Sequence, residues 1–198
     1  MTAAALLPVA SYALVSIFTP GPNNITASSL GMRVGYVRTL RFITGVVTGF
    51  LCVMLASGLL TEVLVAAVAR AGPVLRAAGV LYLLWLTYTV LRPERATHRS
   101  SEAGSRFLDG FLLQFVNIKV ILFGMTMYAT LLVPWTTTWP AILVSALILA
   151  SLSFCSTSLW ALLGAAIQRF IAVPRVKLVY SLVLAALLLY AAWSVAFS

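Results

Sequence analysis

Six long apolar runs alternate with short polar or charged segments along the chain. A membrane-spanning helix needs roughly 20 largely apolar residues, so each run predicts one such helix. The apolar stretch 63–69 is too short to span and is predicted to connect the second and third helices at the membrane interface. The predicted spanning runs are 6–28, 42–60, 74–91, 107–133, 140–167 and 178–197.

The composition requires an apolar solvent around the chain. Of the 198 residues, 62% are hydrophobic and 9% are charged, and the mean hydropathy is +1.07. About a quarter of the residues of a soluble globular domain are charged, so this chain has too few polar groups to cover its surface in water. We predict a single all-α integral membrane domain over residues 1–198, embedded in a lipid bilayer.

Positive charges cluster after the first, third and fifth predicted helices. Ten cations lie in these loops, whereas Arg70 and Arg76 lie on the other side and Lys119 lies inside the fourth run. Cytoplasmic loops are enriched in Lys and Arg, and aromatic residues collect at the interfaces, so both termini are predicted outside, with Trp135 and Trp139 in the outer loop. Short clusters of this kind mark topology rather than a nucleic-acid partner. The ten cations are Arg33, Arg38, Arg41, Arg92, Arg95, Arg99, Arg106, Arg169, Arg175 and Lys177.

The two halves of the chain share one outline, with three predicted helices each and a polar interruption in the first of the three. Because three helices leave the chain on the opposite side, the second half, about 99–198, enters the membrane inverted relative to the first, about 1–98. Inverted repeats with interrupted helices place the substrate site of many transporters near the bilayer midplane. The sequence therefore predicts two inverted three-helix repeats.

The first run contains a helix-breaking segment followed by two amides. Its prolines remove two backbone donors and free several carbonyls from helical bonding, and in a membrane such groups must face protein, water or a ligand. A helix starting near the second proline would attract an anion with its N–H groups. We predict a substrate-binding segment, and the alternative is a packing kink. The segment is Thr19, Pro20, Gly21, Pro22, Asn23 and Asn24.

The fourth run carries Lys119 about a dozen residues from its start, near mid-bilayer. A lysine at that depth costs roughly 2.5–3.5 kcal/mol on insertion scales, so it is predicted to face a polar cavity. The alternative is a lysine bonded to carbonyls for packing alone. Gln114 and Asn117 do not share one helical stripe with Lys119, but they are predicted to line other sides of the same cavity.

Acidic residues and the histidine stay at the edges of the predicted membrane segments. His98 lies in a loop, so we predict neither a metal site nor a hydrolytic centre, and we expect no cofactor and no enzymatic activity. The acids lie in loops or at helix ends, so no carboxylate proton relay is predicted at membrane depth. They are Glu62, Glu94, Glu102 and Asp109.

Two small-residue features have structural interpretations. Cys52 and Cys155 lie inside apolar runs and are predicted to be small buried side chains. Gly45 and Gly49 form a GxxxG pattern, predicted to serve close helix packing either within the subunit or at a homodimer face.

Several of these segments resemble the LysE/RhtB family of amino-acid exporters. Residues 19–24 with 31–35 are similar to that family's first-helix motif, residues 113–119 to its second motif, and 79–83 to its third helix. Most of the family has proline where this chain has Ile118, and this departure, together with the paired Asn23 and Asn24, is similar to the cysteine/O-acetylserine exporter branch. The resemblance implies export of a small neutral amino acid across the bacterial inner membrane, driven by the proton gradient. Other members export threonine, homoserine, leucine or lysine.

The residues suggest how such a substrate would bind. We expect its carboxylate at Lys119 and the helix start near 22–24. We expect its ammonium at carbonyls near 19–21 and at the side-chain oxygens of Asn23, Gln114 or Asn117. A fixed cation without an acid suits a neutral zwitterion better than lysine. A coupling proton would be exchanged by Lys119 or carried by Glu62 or Asp109, unless transport is uncoupled.

Three other functions remain open from the sequence. A membrane thiol-redox carrier would use Cys52 and Cys155, with Cα atoms no more than about 7 Å apart. A divalent-metal exporter would need ligands that the chain lacks. A non-transporting scaffold would leave the cost of Lys119 unexplained.

Overall fold

The computed structural model of the chain describes residues 3–60, 107–132, 138–170 and 174–197, together with residues 74, 77, 80, 81, 83–88 and 91. These described residues form helices and short turns, with no strand among them. The individually described residues between 74 and 91 are all helical. The other helices are α1 (Ala3–Phe18), α2 (Pro22–Val34), α3 (Tyr36–Leu59), α4 (Phe107–Val116), α5 (Ile118–Thr126), α6 (Trp139–Phe170) and α7 (Pro174–Phe197), and α5 continues into a π-helical turn, Met127–Leu131.

Several sequence predictions fall outside the described residues. They concern the interfacial stretch 63–69, the loop 92–106, Glu62 and Trp135. The side chains of Arg169, Arg175 and Lys177 also lie outside, so the charge distribution that predicts the orientation stays a prediction.

The membrane-spanning character of the chain is visible in its longest helices. Among the described residues, two helices are long and apolar enough to cross a bilayer, namely Tyr36–Leu59 and Trp139–Ile167. A third candidate is the pair Phe107–Val116 and Ile118–Leu131, which is bent by 61° at its break. Leu7–Phe18 and Leu178–Tyr190 are shorter apolar helices. The all-helical fold is confirmed, whereas the count of six spans stays a prediction.

Helix α2 extends beyond the first apolar run, which was predicted to end at residue 28. It continues to Val34, and Ser28, Ser29 and Gly31 in this part of the helix are buried. The chain then turns at Gly35, whose φ of 80° is in the region that favours glycine. Helix α3 starts directly after this turn, so its first residues precede the predicted start at residue 42.

Two pairs of helices approach each other at glycines. A Cβ atom on Gly31 of α2 would lie 2.0 Å from the Ala161 carbonyl oxygen of α6, and one on Gly164 of α6 would lie 2.0 Å from the Ser28 oxygen. Between α3 and α4, a Cβ on Gly45 would lie 2.0 Å from the Phe107 oxygen. The backbones are therefore in direct contact, as small residues permit between membrane helices.

The GxxxG pattern of α3 packs inside the subunit. Gly45 meets Phe107, and a Cβ on Gly49 would lie 2.6 Å from the carbonyl oxygen of Phe111, both in α4. This contact accounts for the motif, so Gly45 and Gly49 give no support to the alternative of a homodimer face.

Candidate functional site

The helix of the first apolar run is broken at the prolines, as the sequence predicts. Helix α1 ends at Phe18, and α2 begins at Pro22 after Gly21, whose backbone is extended with φ −153° and ψ 179°. The first helical hydrogen bond of α2 runs from the Ile25 N–H to the Gly21 oxygen at 2.9 Å. The N–H groups of Asn23 and Asn24 precede that bond and have no carbonyl within α2 to reach. The helix therefore presents two backbone donors at the break.

The carbonyls freed at the end of α1 are bonded by protein side chains. The Ile17 oxygen accepts from Asn24 Nδ2 at 2.9 Å and from Ser156 Oγ at 2.9 Å. The Phe18 oxygen accepts from Trp160 Nε1 at 3.2 Å. Asn24 Nδ2 also donates to the Thr19 oxygen at 3.1 Å. Asn24 and α6 thus hold the broken segment in place, which satisfies backbone groups that the bilayer cannot.

The fourth run breaks as well, at Asn117. Its backbone is extended, with φ −81° and ψ 94°, between α4 and α5. The Asn117 oxygen accepts from the Val120 N–H at 2.9 Å and the Ile121 N–H at 3.1 Å, so α5 starts anew. Residues 107–131 are consequently two helices and a π turn rather than one continuous helix.

Three side-chain amides join the two breaks. Asn23 Nδ2 donates to Gln114 Oε1 at 2.8 Å, and Gln114 Nε2 donates back to Asn23 Oδ1 at 3.1 Å. Asn117 Nδ2 donates to the same Asn23 oxygen at 3.0 Å. Gln114 is fully buried and also donates to the Gly110 oxygen at 2.9 Å. This amide cluster, Asn23, Gln114 and Asn117, fixes α2 against α4.

Lys119 reaches from the second break to the first. Its Nζ donates to the Thr19 hydroxyl at 2.9 Å and to the Thr19 carbonyl at 3.2 Å. It also lies close to Gly21, where a Cβ atom would be 3.1 Å from Nζ. An ammonium has three donors, so one N–H remains for a further acceptor.

A cavity lies where the breaks meet, and it contains about 380 Å³ of atom-free space, including the part open to the outside. Six of the predicted site residues line it, whereas Gln114, Thr19 and Pro20 lie outside its lining. The six are Gly21, Pro22, Asn23, Asn24, Asn117 and Lys119.

The rest of the lining comes from residues that the sequence analysis did not single out. Most of these are apolar, but α6 contributes Ser153 and Thr157, and α1 contributes Ser16. Ser153, Ser156 and Thr157 recur at helical spacing within an apolar run, a pattern that indicates a polar face. The apolar lining residues are Ile17, Phe50, Val120 and Phe123.

The electrostatic character of the cavity favours an anion beside Lys119. Lys119 is the one charged side chain among the lining residues, and α2 begins in the lining at Pro22. Helix N-termini carry partial positive charge and free N–H donors. The cavity therefore combines a cation, helix-end donors and neutral amides with no carboxylate in its lining.

The cysteines lie away from this cavity. Cys52 of α3 and Cys155 of α6 are free thiols and both are exposed, so the prediction that they are buried is wrong. In a chain with a lipid-facing surface, a small apolar thiol is as suitable outside as inside. Within the described part of the chain, no group of three His, Cys, Asp or Glu side chains is placed to hold a metal ion.

Comparison with known proteins shows a close family relationship. Residues 14–198 match the family model of the LysE type translocators. The chain is 37% identical over 193 residues to a cysteine/O-acetylserine efflux protein of Klebsiella pneumoniae, covering 97% of each chain. It is 34% identical over 197 residues to the protein of the same name from Escherichia coli, again with 97% of each chain covered. No solved structure matches the chain.

Proposed function

The chain belongs to the LysE family of translocators, and we propose that it exports a small neutral amino acid, of the cysteine or O-acetylserine type, from the cytoplasm. The observation that carries this proposal is the cavity at the two helix breaks, lined by Lys119 and the N-terminus of α2. A transporter of this kind binds and releases its cargo without chemical change, and so needs no catalytic group.

The carboxylate of the substrate fits the positive side of the cavity. Lys119 has one N–H left after its two bonds to Thr19. Asn23 and Asn24 line the cavity, and their backbone N–H groups have no acceptor within α2. Charge-assisted hydrogen bonds of this type are stronger than neutral ones. We assign these groups to the carboxylate.

The ammonium of the substrate needs an acceptor, and most of the expected ones are already used. Asn23 Oδ1 accepts two hydrogen bonds, and Gln114 Oε1 accepts one from Asn23. The Thr19 oxygen accepts from Lys119 and Asn24. Asn117 donates through Nδ2, which leaves its own oxygen as the acceptor in the lining. We therefore assign Asn117 to the ammonium, with Gln114 positioning Asn23 from behind.

The charge balance of the cavity selects for a zwitterion. A second cation on the substrate side chain would meet Lys119 with no carboxylate in the lining to offset it. The apolar residues Phe50 and Phe123 occupy the remaining wall. This favours a small neutral amino acid over lysine, with threonine, homoserine and leucine as the competing substrates.

The proposed architecture follows the same logic. Six spans in two inverted repeats, about 1–98 and 99–198, form one transmembrane domain with both termini outside the bacterial inner membrane. In support, the first apolar run of each half is broken, at Gly21 in the first half and at Asn117 in the second. Opposed broken helices around one cavity are a recurring transporter plan.

We further propose that export is coupled to proton entry, with Lys119 as the group that exchanges the proton. Of the other two carriers considered, Asp109 lies in the first turn of α4, outside the cavity lining, and Glu62 falls outside the described residues. Collapsing the pH gradient across proteoliposomes at fixed substrate gradient should slow efflux. An unchanged rate would show that transport is uncoupled.

The deciding experiment loads proteoliposomes with a panel of labelled amino acids and compares the wild type with Lys119→Met. Arg38→Met is the matched control, because Arg38 is exposed and outside the cavity. We expect selective efflux of cysteine, O-acetylserine or a similar neutral amino acid in the wild type and control, and none in Lys119→Met. Normal efflux from folded Lys119→Met would overturn the assignment.

A second variant distinguishes an amino-acid exporter from a thiol-redox carrier. Cys52→Ala with Cys155→Ala removes both thiols, which are unpaired and outside the cavity lining. An exporter should keep its efflux rate in this double variant, whereas a thiol carrier would lose all function.

A further inference from the structure

The hydroxyl of Ser153 differs from most other hydroxyls on these helices. In a helix, Ser and Thr side chains commonly donate to the carbonyl of the preceding turn. Ser153 makes no such bond, and no other described group bonds to its hydroxyl, although the residue is only 4% exposed. The hydroxyls that do bond to the carbonyl four residues earlier are those of Ser11, Thr26, Thr39, Thr48, Thr87, Ser151 and Thr157.

The place where Ser153 lies is the cavity at the helix breaks. It belongs to the lining, and Thr157, one turn later on α6, lines the same space. The Thr157 hydroxyl already donates to the Ser153 carbonyl at 2.7 Å. Ser16, another unpartnered hydroxyl of the lining, is only half-buried, so it can be satisfied from outside. The Ser153 hydroxyl is thus free to bond a ligand that enters the cavity, as a donor and as an acceptor.

Ser153 is separate from the groups assigned to the backbone of the substrate. Lys119 and Asn117 come from the second break and the N-terminus of α2 from the first, whereas Ser153 comes from the unbroken helix α6. Ser156 lies one turn after Ser153, towards the end of α6 that the charges predict to be cytoplasmic. Its hydroxyl donates to the Ile17 oxygen beside the first break. Ser153 thus lies about one turn, roughly 5 Å, from that level, on a part of the lining that is not assigned to the carboxylate or the ammonium.

We infer that Ser153 hydrogen-bonds the side chain of the transported amino acid and sets the preference for an oxygen or sulfur on its β-carbon. This inference rests on the proposed export function and extends it to a specificity-determining residue. A hydroxyl both donates and accepts, so it can pair with a hydroxyl, an ester oxygen or, more weakly, a thiol. A methyl group at the same position would leave the Ser153 hydroxyl unpaired.

The test compares two competitors that differ only at that position. Efflux of labelled cysteine is measured in proteoliposomes with serine or 2-aminobutyrate, which carries a methyl group in place of the hydroxyl. We expect wild type to favour serine and Ser153→Ala to lower that preference about three- to tenfold, the range for a neutral hydrogen bond. Ser151→Ala is the matched control, because Ser151 is exposed on the same helix and bonded to Leu147.

The possible results distinguish a wrong role for Ser153 from a wrong export function. Efflux that persists in Ser153→Ala with an unchanged serine preference overturns the role of Ser153 and leaves the exporter intact. Wild type that moves no amino acid overturns the exporter, and this inference with it. Should Ser153→Ala fold poorly, Ser153→Cys keeps the side-chain size with a weaker hydrogen bond, and an unchanged preference there contradicts the proposal equally.

Discussion

Lys119 and Thr19 are joined by two hydrogen bonds across 100 residues of sequence. The lysine Nζ contacts both the hydroxyl and the carbonyl of the threonine, at 2.9 and 3.2 Å. Each residue stands next to a helix break, so the cation of one break is held by the backbone of the other. This link fixes the ammonium at the cavity instead of leaving it free to extend towards the membrane surface, as long cationic side chains otherwise do.

The Thr19 hydroxyl should tune transport without being indispensable. Thr19→Val removes one acceptor of Lys119 and keeps the carbonyl, so we expect efflux to fall about three- to tenfold, the effect of one hydrogen bond. Initial efflux rates against substrate concentration measure it. Thr48→Val is the control, since that exposed hydroxyl bonds only within α3. A Thr19→Val protein as inactive as Lys119→Met, or fully active, would contradict this role.

Replacing the buried amide at Gln114 should weaken the junction of α2 and α4. Gln114→Glu keeps the shape but, as a carboxylate, loses the donors to Asn23 Oδ1 and the Gly110 oxygen. The loss of two hydrogen bonds costs about 0.5–1.5 kcal/mol each, and a buried carboxylate without a cation partner is unfavourable in addition, so the midpoint of thermal unfolding in detergent should fall. A midpoint equal to that of wild type would show that the cluster does not hold these helices together.

The contact of α3 with α4 should tolerate no side chain at Gly45. A Cβ there would lie 2.0 Å from a backbone oxygen, and a backbone atom cannot rotate away as a side chain can. We expect Gly45→Ala to lower the midpoint of unfolding and the yield of folded protein in membranes. Thr44→Ala, an exposed neighbour on the same helix, serves as the comparison and should behave as wild type. Equal stability of the two variants would refute this packing.

A proline at position 118 should be accepted, although one slightly further on should not. Ile118 is the first residue of α5, where proline is favoured, and Asn117 before it is extended, as a residue preceding proline must be. Ile118→Pro should therefore retain fold and efflux. Ile121→Pro loses the N–H bond to the Asn117 oxygen and should unfold α5. Loss of folding in Ile118→Pro would place the start of α5 elsewhere.

The features set by local chemistry could be predicted from the sequence. Pro20 and Pro22 remove helical donors wherever they stand, so the first break follows from the chain itself. The helical character of the long apolar runs follows from length and composition in the same way, whereas the depth of Lys119 in the bilayer stays a prediction. The family could also be predicted, because two separate motifs, residues 19–24 and 113–119, resemble those of the LysE family. The match to the family model confirms it.

The features set by distant partners could not be predicted. Asn117 has apolar neighbours, Val116 and Ile118, and no proline marks the break there. Its side chain is bonded to Asn23, 94 residues away, and sequence periodicity carries no information about such a partner. The burial of Gln114 outside the cavity, and the entry of Ser153 into it, depend likewise on how α4 and α6 are rotated about their axes.

The neutral amides of Asn23, Gln114 and Asn117 have a consequence for the voltage dependence of transport. Moving a full charge through the membrane field involves about 2.3 kcal/mol per 100 mV, so an ion pair whose charges separated along that field would make conformational change sensitive to voltage. Amides can part and re-form while carrying no net charge. Any voltage dependence of this protein must then arise elsewhere than at this junction, with Lys119 and the cargo as the charged groups of the cavity.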